Sequence, residues 1–290
     1  MTFPTLQRGT KGKEVVQLQS ELNKVGAMLK PDGDFGRGTE KAVLYAQDIA
    51  SHPKTGIVED ELWKWLELQP APYEKLNING TAFIAREETG GLDYYELVTR
   101  WPHYPGHASG ITIGVGYDLR FNEIDNFIES WGEYLPRPHV DELSKDIGKK
   151  GSKERATELK NMGVQVPFKF AWPVFTHLTL PRFYNDTKSI YPSIDSLPEF
   201  CRAVLVSLVF NRGTSLMGAS RKEMKVIQNI LNTADNPNLE KSEKIVLLGS
   251  VEEEILSMKR LWAPSSGLIK RRQSEANLWR EGLVSWSGSY

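Results

Sequence analysis

The sequence predicts a mainly α-helical protein with two domains, a three-helix domain followed by an α-rich domain with a small β-hairpin or short sheet. Apolar residues recur at helical spacing in three blocks before residue 69, and a polar stretch with two prolines follows. Beyond it helical periodicity dominates, apart from one alternating segment. A chain of 290 residues has room for two domains of ordinary size. We therefore place the first domain at residues 1–68, a linker at 69–80 and the second domain at 81–290.

The composition argues against several classes of partner. Acidic and basic side chains nearly cancel, at a net charge of −1, so no global field draws the protein onto nucleic acid or an anionic membrane. The first residues lack the apolar core of a secretory signal, and no later stretch approaches the roughly 18 apolar residues of a membrane span. We expect a monomer made in the cytoplasm, with no nucleic-acid partner and no stable membrane association.

Turn residues divide the first domain into its three helices. The first helix carries an apolar face from Val15 to Val25 and stops before Gly26. A turn-forming stretch separates it from a second helix that begins at Thr39. Pro53 starts the break after this helix, and the third runs from about Glu59 to Leu68.

This pattern resembles the three-helix peptidoglycan-binding domain of many wall hydrolases. The matching motifs are Leu6-x-x-Gly9, Gly12-x-x-Val15-x-x-Leu18-Gln19-x-x-Leu22, Asp32-Gly33-x-Phe35-Gly36-x-x-Thr39, Ala42-Val43, Thr55-Gly56-Ile57-Val58 and Trp63. The resemblance implies that bacterial peptidoglycan is a partner, and we expect Asp32, Phe35 and Thr39 to serve wall binding. Taken singly, each of these residues is equally consistent with a core or turn position of an unrelated helical bundle.

The second domain is predicted to consist of short helices around one strand-like segment. Gln69–Gly80 lacks helical periodicity and contains two prolines, which favours a linker before it. The prolines expected to divide the second domain are at positions 136, 138, 167, 173, 181, 192 and 198. The strand-like segment covers Ile111 to Tyr117.

Glu88 is the first candidate for catalytic chemistry. It follows Ile84 by four residues, so on a helix it continues the face that Ile84 buries, and Gly90 and Gly91 then end the helix. A carboxyl group in that position is expected to be half desolvated. Desolvation raises the pKa of a carboxyl group, as a general acid working near neutrality requires.

The alternating segment supplies the other candidates. Alternation places the apolar side chains of Ile111–Tyr117 on one face, and Thr112, Gly114, Gly116 and Asp118 on the other. The two glycines are expected to leave room for a ligand close to the backbone. A straight strand would hold Thr112 and Asp118 about 20 Å apart, too far to act on one bond, so the glycines are predicted to mark a bend.

These two segments resemble the phage-type lysozymes of glycoside hydrolase family 24 and, more closely, pesticin-like muramidases. Both have a glutamate near a helix end and a Thr-Ile-Gly-x-Gly segment about two dozen residues later. The resemblance implies that Glu88 is the general acid, with Glu87 as the alternative, and that Thr112 is a catalytic partner. The pesticin-like enzymes alone also have an aspartate six residues after this threonine, which implies that Asp118 is the second partner. Substrate contacts then fall on Gly114, Gly116 and Tyr117, although many lysozymes have histidine at the last of these positions.

Two more stretches extend the resemblance over residues 81–285. Ala203–Gly213 looks like the buried central helix that ends in Phe-Asn-x-Gly, and Gly267–Leu278 looks like the arginine-rich terminal helix. We expect Arg271, Arg272 and Glu275 to lock this helix to its domain rather than to contact substrate.

Together these resemblances imply a modular phage endolysin, a bacteriolytic muramidase that cleaves the glycan strand of peptidoglycan. It would stay in the host cytoplasm until lysis and then act on the wall, without a cofactor. A lytic transglycosylase, a zinc amidase and a non-catalytic wall-binding protein are the alternatives. The zinc reading needs clustered ligands, yet the only close pair of histidines, His103 and His107, spans Pro105 and Gly106, so we expect no metal site.

Overall fold

A computed structural model describes residues 3–106 and 108–288 and is mainly α-helical, which confirms the predicted fold class. Within these residues the regular strands are β1 (Thr112–Ile113) and β2 (Tyr117–Asp118), which form one antiparallel pair. The described chain divides into two compact units. One comprises residues 3–73 and 81–180, and the other comprises residues 74–80 and 181–288. The proposed domain boundaries at 68 and 81 remain predictions, and the predicted linker is shared between the units.

The N-terminal helices enclose their own apolar core. They are α1 (Lys13–Lys24), α2 (Arg37–Ile49) and α3 (Asp60–Glu67), close to the predicted spans. Leu18, Val43 and Trp63 are almost completely buried between them. Leu6 pairs with Val58 in an antiparallel bridge, which joins the start of the chain to the segment before α3.

Two buried glutamines hold the turns that separate these helices. The Gln19 amide accepts from Gly33 N–H at 2.9 Å and donates to the Thr39 hydroxyl at 3.1 Å. The Gln47 amide does the same for the second turn, accepting from Gly56 N–H at 3.0 Å and donating to Ile57 O at 2.9 Å. A buried amide that is satisfied on both sides fixes the conformation of a polar turn over an apolar core.

The rest of the first unit is built from short helices. These are α4 (Ile78–Thr89), whose first residues fall in the other unit, α5 (Leu92–Tyr94), α6 (Ile124–Trp131), α7 (Arg137–Ser144), α8 (Lys153–Asn161) and α9 (Phe168–Val174). α4 begins inside the predicted linker because the Asn77 side chain accepts from Gly80 N–H at 2.6 Å and caps it. Pro167 precedes α9 as predicted, but Pro173 lies inside that helix, and a π-helical turn, Phe175–Thr179, follows it.

In the second unit a buried ion cluster joins the central and terminal helices. Its helices are α10 (Leu180–Ile190), which starts at the unit boundary, α11 (Glu199–Arg212), α12 (Lys222–Ala234), α13 (Lys241–Ser257) and α14 (Gly267–Ser287). On α14, Glu275 pairs with Arg271 at 3.2 Å and with Arg272 at 2.8 Å, and all three side chains are buried. Ser207 of α11 donates to Glu275 at 2.6 Å. These contacts fasten the terminal helix to α11, as predicted.

Candidate active site

The end of α4 carries the two adjacent glutamates. Ile84 is fully buried, and both Glu87 and Glu88 are half-buried in the last helical turn. Gly90 and Gly91 follow with φ of 79° and 94°, a left-handed conformation that ends the helix as predicted. Glu88 is thus held at the end of a helix in which Ala82, Ile84 and Ala85 are fully buried.

The alternating segment folds back on itself as a β-hairpin. Gly114 and Gly116 have φ of 57° and 69° and form the turn between β1 and β2. In the register of this pair Thr112 lies directly opposite Asp118. Residues opposite each other in an antiparallel pair project to the same face of the sheet. The predicted bend is confirmed, and it brings together the hydroxyl-bearing and the carboxylate-bearing residue.

Thr112 and Asp118 form a non-hydrogen-bonded pair of the antiparallel ladder, which is the narrow pair of the two types. Leu119 N–H donates to Ile111 O at 2.9 Å, one position outside Thr112 and Asp118. In an antiparallel ladder, a pair flanked by such bonds has its Cα atoms only about 4.5 Å apart, with close side chains. Thr112 and Asp118 therefore lie much closer together than the about 20 Å expected for a straight strand.

The carboxylate of Asp118 is fixed by backbone donors. Gly110 N–H lies 2.9 Å from Oδ1 and 3.1 Å from Oδ2, and Arg120 N–H donates to Oδ1 at 2.9 Å. The contact with Arg120 N–H caps the short 3-10 turn Leu119–Phe121. A side chain at Gly110 would collide with this carboxylate, since an added Cβ would lie 2.5 Å from Oδ1. Asp118 therefore has one preset orientation.

His103 lies on the other side of Thr112 and was considered in the sequence only as a metal ligand. The two residues form an isolated antiparallel bridge, with His103 N–H donating to Thr112 O at 3.0 Å and Thr112 N–H to His103 O at 2.8 Å. Burial lowers the pKa of His103, although a hydrogen bond with Trp101 O and the charge of Asp118 act in the opposite direction. A single bridge has no periodic pattern, so no sequence signal pointed to this neighbour.

Two of the three residues assigned to substrate contact are covered by other side chains. Tyr117 is 6% exposed, and its ring packs edge-on against Trp131 with centroids 5.5 Å apart. Gly114 is also covered, because an added Cβ would lie 2.7 Å from the Trp131 ring. The room expected beside this glycine is filled by tryptophan rather than open to a ligand. Gly116, in contrast, is only half-buried.

The wall-binding candidates of the N-terminal domain are mostly interior. Phe35 is 0% and Thr39 is 3% exposed, so their side chains support the domain from inside rather than present a surface. Asp32 is exposed, and its Oδ1 accepts from Gln19 at 2.8 Å and from Asp34 N–H at 2.9 Å. Desolvation opposes the ionisation of Asp32, but these hydrogen bonds outweigh it and lower the pKa of its carboxyl group. Direct contact with the wall is therefore open to Asp32 alone among the three.

The N-terminal domain also touches the helix that carries the glutamates. The Met28 carbonyl accepts from Arg86 at 3.4 Å, and the Thr89 hydroxyl lies 3.2 Å from the Met28 sulfur. Gly26 packs under the Phe168 and Trp172 rings, where an added Cβ would lie 2.6 Å from the nearer one. The helical bundle and α4 are therefore parts of one packed unit.

Comparison with known proteins identifies the N-terminal part. The sequence profile of a peptidoglycan binding domain family matches residues 11–66, which include α1, α2 and all but the last residue of α3. The chain thus carries a peptidoglycan-binding domain, and its function is related to the cell wall. A search of curated proteins found no match to this sequence.

The described residues also bear on metal binding and on membrane insertion. No group of three or more His, Cys, Asp or Glu side chains within residues 3–106 and 108–288 is arranged to hold a metal ion. In the same part of the chain, no helix combines the length and apolarity needed to cross a bilayer.

Proposed function

We propose that the protein is a muramidase of the endolysin type, which hydrolyses the β-1,4 bond between N-acetylmuramic acid and N-acetylglucosamine during lysis of a bacterial host. The observation that carries the proposal is the register of the hairpin, in which Thr112 and Asp118 face each other across a narrow pair. Glu88 at the end of α4 and the peptidoglycan-binding domain belong to the same compact unit as this hairpin.

Each of the three side chains has a distinct role in the proposed reaction. Glu88 donates its proton to the glycosidic oxygen as the bond to C1 breaks. Asp118 removes a proton from the attacking water and stabilises positive charge on the sugar, while the Thr112 hydroxyl helps to hold that water.

The peptidoglycan-binding domain supports the proposed muramidase function, because it would hold the protein on its substrate. A wall-binding module in the same unit as the reactive side chains keeps them at a high effective concentration of glycan strands. The proposed partner is peptidoglycan, the proposed active form is a monomer, and the proposed site of action is the cell wall.

Hydrolysis is favoured over the lytic transglycosylase reaction by the same hairpin. A transglycosylase needs one acid/base carboxyl and closes the sugar on itself, so it has no need of a second carboxylate beside a hydroxyl. The preset carboxylate of Asp118 opposite Thr112 is an arrangement suited to activating water.

Mass spectrometry of the fragments released from purified peptidoglycan tests the proposal. The wild type should release fragments with reducing muramic ends, and Glu88→Gln should release none. Glu87→Gln is the matched control, because it changes the adjacent half-buried carboxyl and should retain activity. Anhydro-muramic ends would identify a transglycosylase instead, whereas free peptides or an absence of products would refute glycan cleavage.

A further inference from the structure

Three polar side chains from three chain segments line up on one face of the small sheet. Thr112 is in the middle, paired with Asp118 on one side and with His103 on the other. We propose that His103, Thr112 and Asp118 together bind one water molecule, and that His103 is thereby a third contact of the attacking water. The catalytic part of this inference rests on the function proposed above.

The backbone geometry brings the three groups within reach of a common point. The bridge between His103 and Thr112 has reciprocal hydrogen bonds of 3.0 and 2.8 Å, which places their Cα atoms about 5.5 Å apart. The narrow pair on the other side adds about 4.5 Å, so the row spans about 10 Å. Side chains at its two ends can therefore approach a small molecule that sits over Thr112.

The Thr112 hydroxyl supplies a separate reason for a bound water. Thr112 is 5% exposed, and its Oγ1 has no hydrogen-bond partner among the residues that the structure describes. Buried hydroxyl groups are nearly always satisfied by protein or by ordered water. A water in such a polar site needs two to four partners, and the row provides three.

The hydrogen-bond donors and acceptors of His103, Thr112 and Asp118 match those of a single water molecule. His103 Nδ1 lies 3.4 Å from Trp101 O, and since a carbonyl only accepts, Nδ1 carries the hydrogen and Nε2 of the neutral ring is an acceptor. A carboxylate has about four acceptor positions, and backbone N–H groups make three contacts with Asp118. Thr112 can donate.

These capacities orient the water for attack. It donates one hydrogen to Asp118 and one to His103, accepts one from Thr112, and keeps one lone pair for C1 of the sugar. As the new C1–O bond forms, the proton shared with Asp118 passes to that carboxylate, and Glu88 protonates the leaving oxygen. No other reactant is needed.

A high-resolution crystal structure of the Glu88→Gln variant tests the water site without relying on activity. We expect an ordered water within hydrogen-bond distance of Thr112 Oγ1, His103 Nε2 and the Asp118 carboxylate. A dry site, or a water that contacts Thr112 but not His103, would overturn the inference. This result is independent of whether the wild type cleaves glycan.

Kinetics on soluble glycan fragments test the role of His103 in turnover. Loss of one hydrogen bond to the water should lower kcat about tenfold in His103→Phe, with KM unchanged. His103→Gln keeps an acceptor and should recover most of the loss, while His177→Phe, at an exposed histidine, is the matched control. The fraction of anhydro product should rise in His103→Phe, because the water is no longer held for attack.

The outcomes separate the two proposals. Unchanged kcat and product ratio in a folded His103→Phe variant would remove His103 from the mechanism and leave the muramidase proposal standing. An equal loss in His103→Gln and His103→Phe would indicate a merely structural role and also overturn the inference. A wild type without glycan products would refute the muramidase, and with it the catalytic role of the water, whereas the crystal structure would still decide the water site.

Discussion

Replacing Gly114 by alanine tests how the hairpin is held in place. Gly114 lies in the left-handed region at φ 57°, and an added Cβ would lie 2.7 Å from Cη2 and 3.2 Å from Cζ2 of Trp131. Trp131 is fully buried, so its ring has little freedom to move away. The substitution therefore combines backbone strain with overpacking, whereas a glycine in open space would show the strain alone.

The expected cost follows from these two contributions. A left-handed conformation costs an alanine about 1–2 kcal/mol, and overpacking a buried site costs about 1–3 kcal/mol. Gly114→Ala should thus lower the free energy of unfolding by about 2–5 kcal/mol. Gly148→Ala is the matched control, because Gly148 has φ 71° and no heavy atom within 4 Å of its added Cβ. It should lose only the first contribution.

Urea unfolding followed by tryptophan fluorescence measures both variants. Gly114→Ala should also lower the rate of glycan cleavage, because a displaced turn moves Thr112 and Asp118 apart, while Gly148→Ala should keep it. Equal destabilisation of the two variants would show that contact with Trp131 does not hold the turn.

Three other perturbations address buried groups. Glu275→Gln should lower the free energy of unfolding by about 3–5 kcal/mol, because it leaves two buried guanidinium groups without their counter-charge. Glu252→Gln, which removes a more exposed ion pair, should lower it by at most about 1 kcal/mol in urea unfolding. Equal losses of stability in the two variants would contradict a stabilising role of the buried ion cluster. Because burial lowers the pKa of His103 from its ordinary 6.5, the unfolded chain takes up a proton first as the pH falls through that value. The wild type should therefore lose more stability on acidification than His103→Gln, and parallel pH–stability curves would argue against this. Phe35→Ala should cost about 3–5 kcal/mol while the folded fraction still binds purified peptidoglycan in a pull-down; selective loss of binding would return Phe35 to the wall-binding surface.

Local signals in the sequence were sufficient for the three N-terminal helices and for the hairpin. Helical spacing of apolar residues and turn glycines predicted α1 to α3 within a few residues, and alternation with two glycines predicted the bend that joins Thr112 to Asp118. Such signals work because they depend on backbone conformation within a few residues. The start of α4 was missed, although Asn77 is a good capping residue, because the stretch before it has no apolar periodicity.

Contacts between distant segments were decided by the tertiary structure alone. The Trp131 ring fills the space expected at Gly114, and Tyr117, which was assigned to substrate contact, is buried against the same ring. The place of His103 beside Thr112 depends on one bridge between segments with no shared pattern. Local patterns in the sequence were enough to predict the peptidoglycan-binding domain, the helical class and the turn that pairs Thr112 with Asp118. Only the folded chain decided what surrounds them, because packing partners are chosen by shape and burial across the whole unit, and local periodicity does not record them.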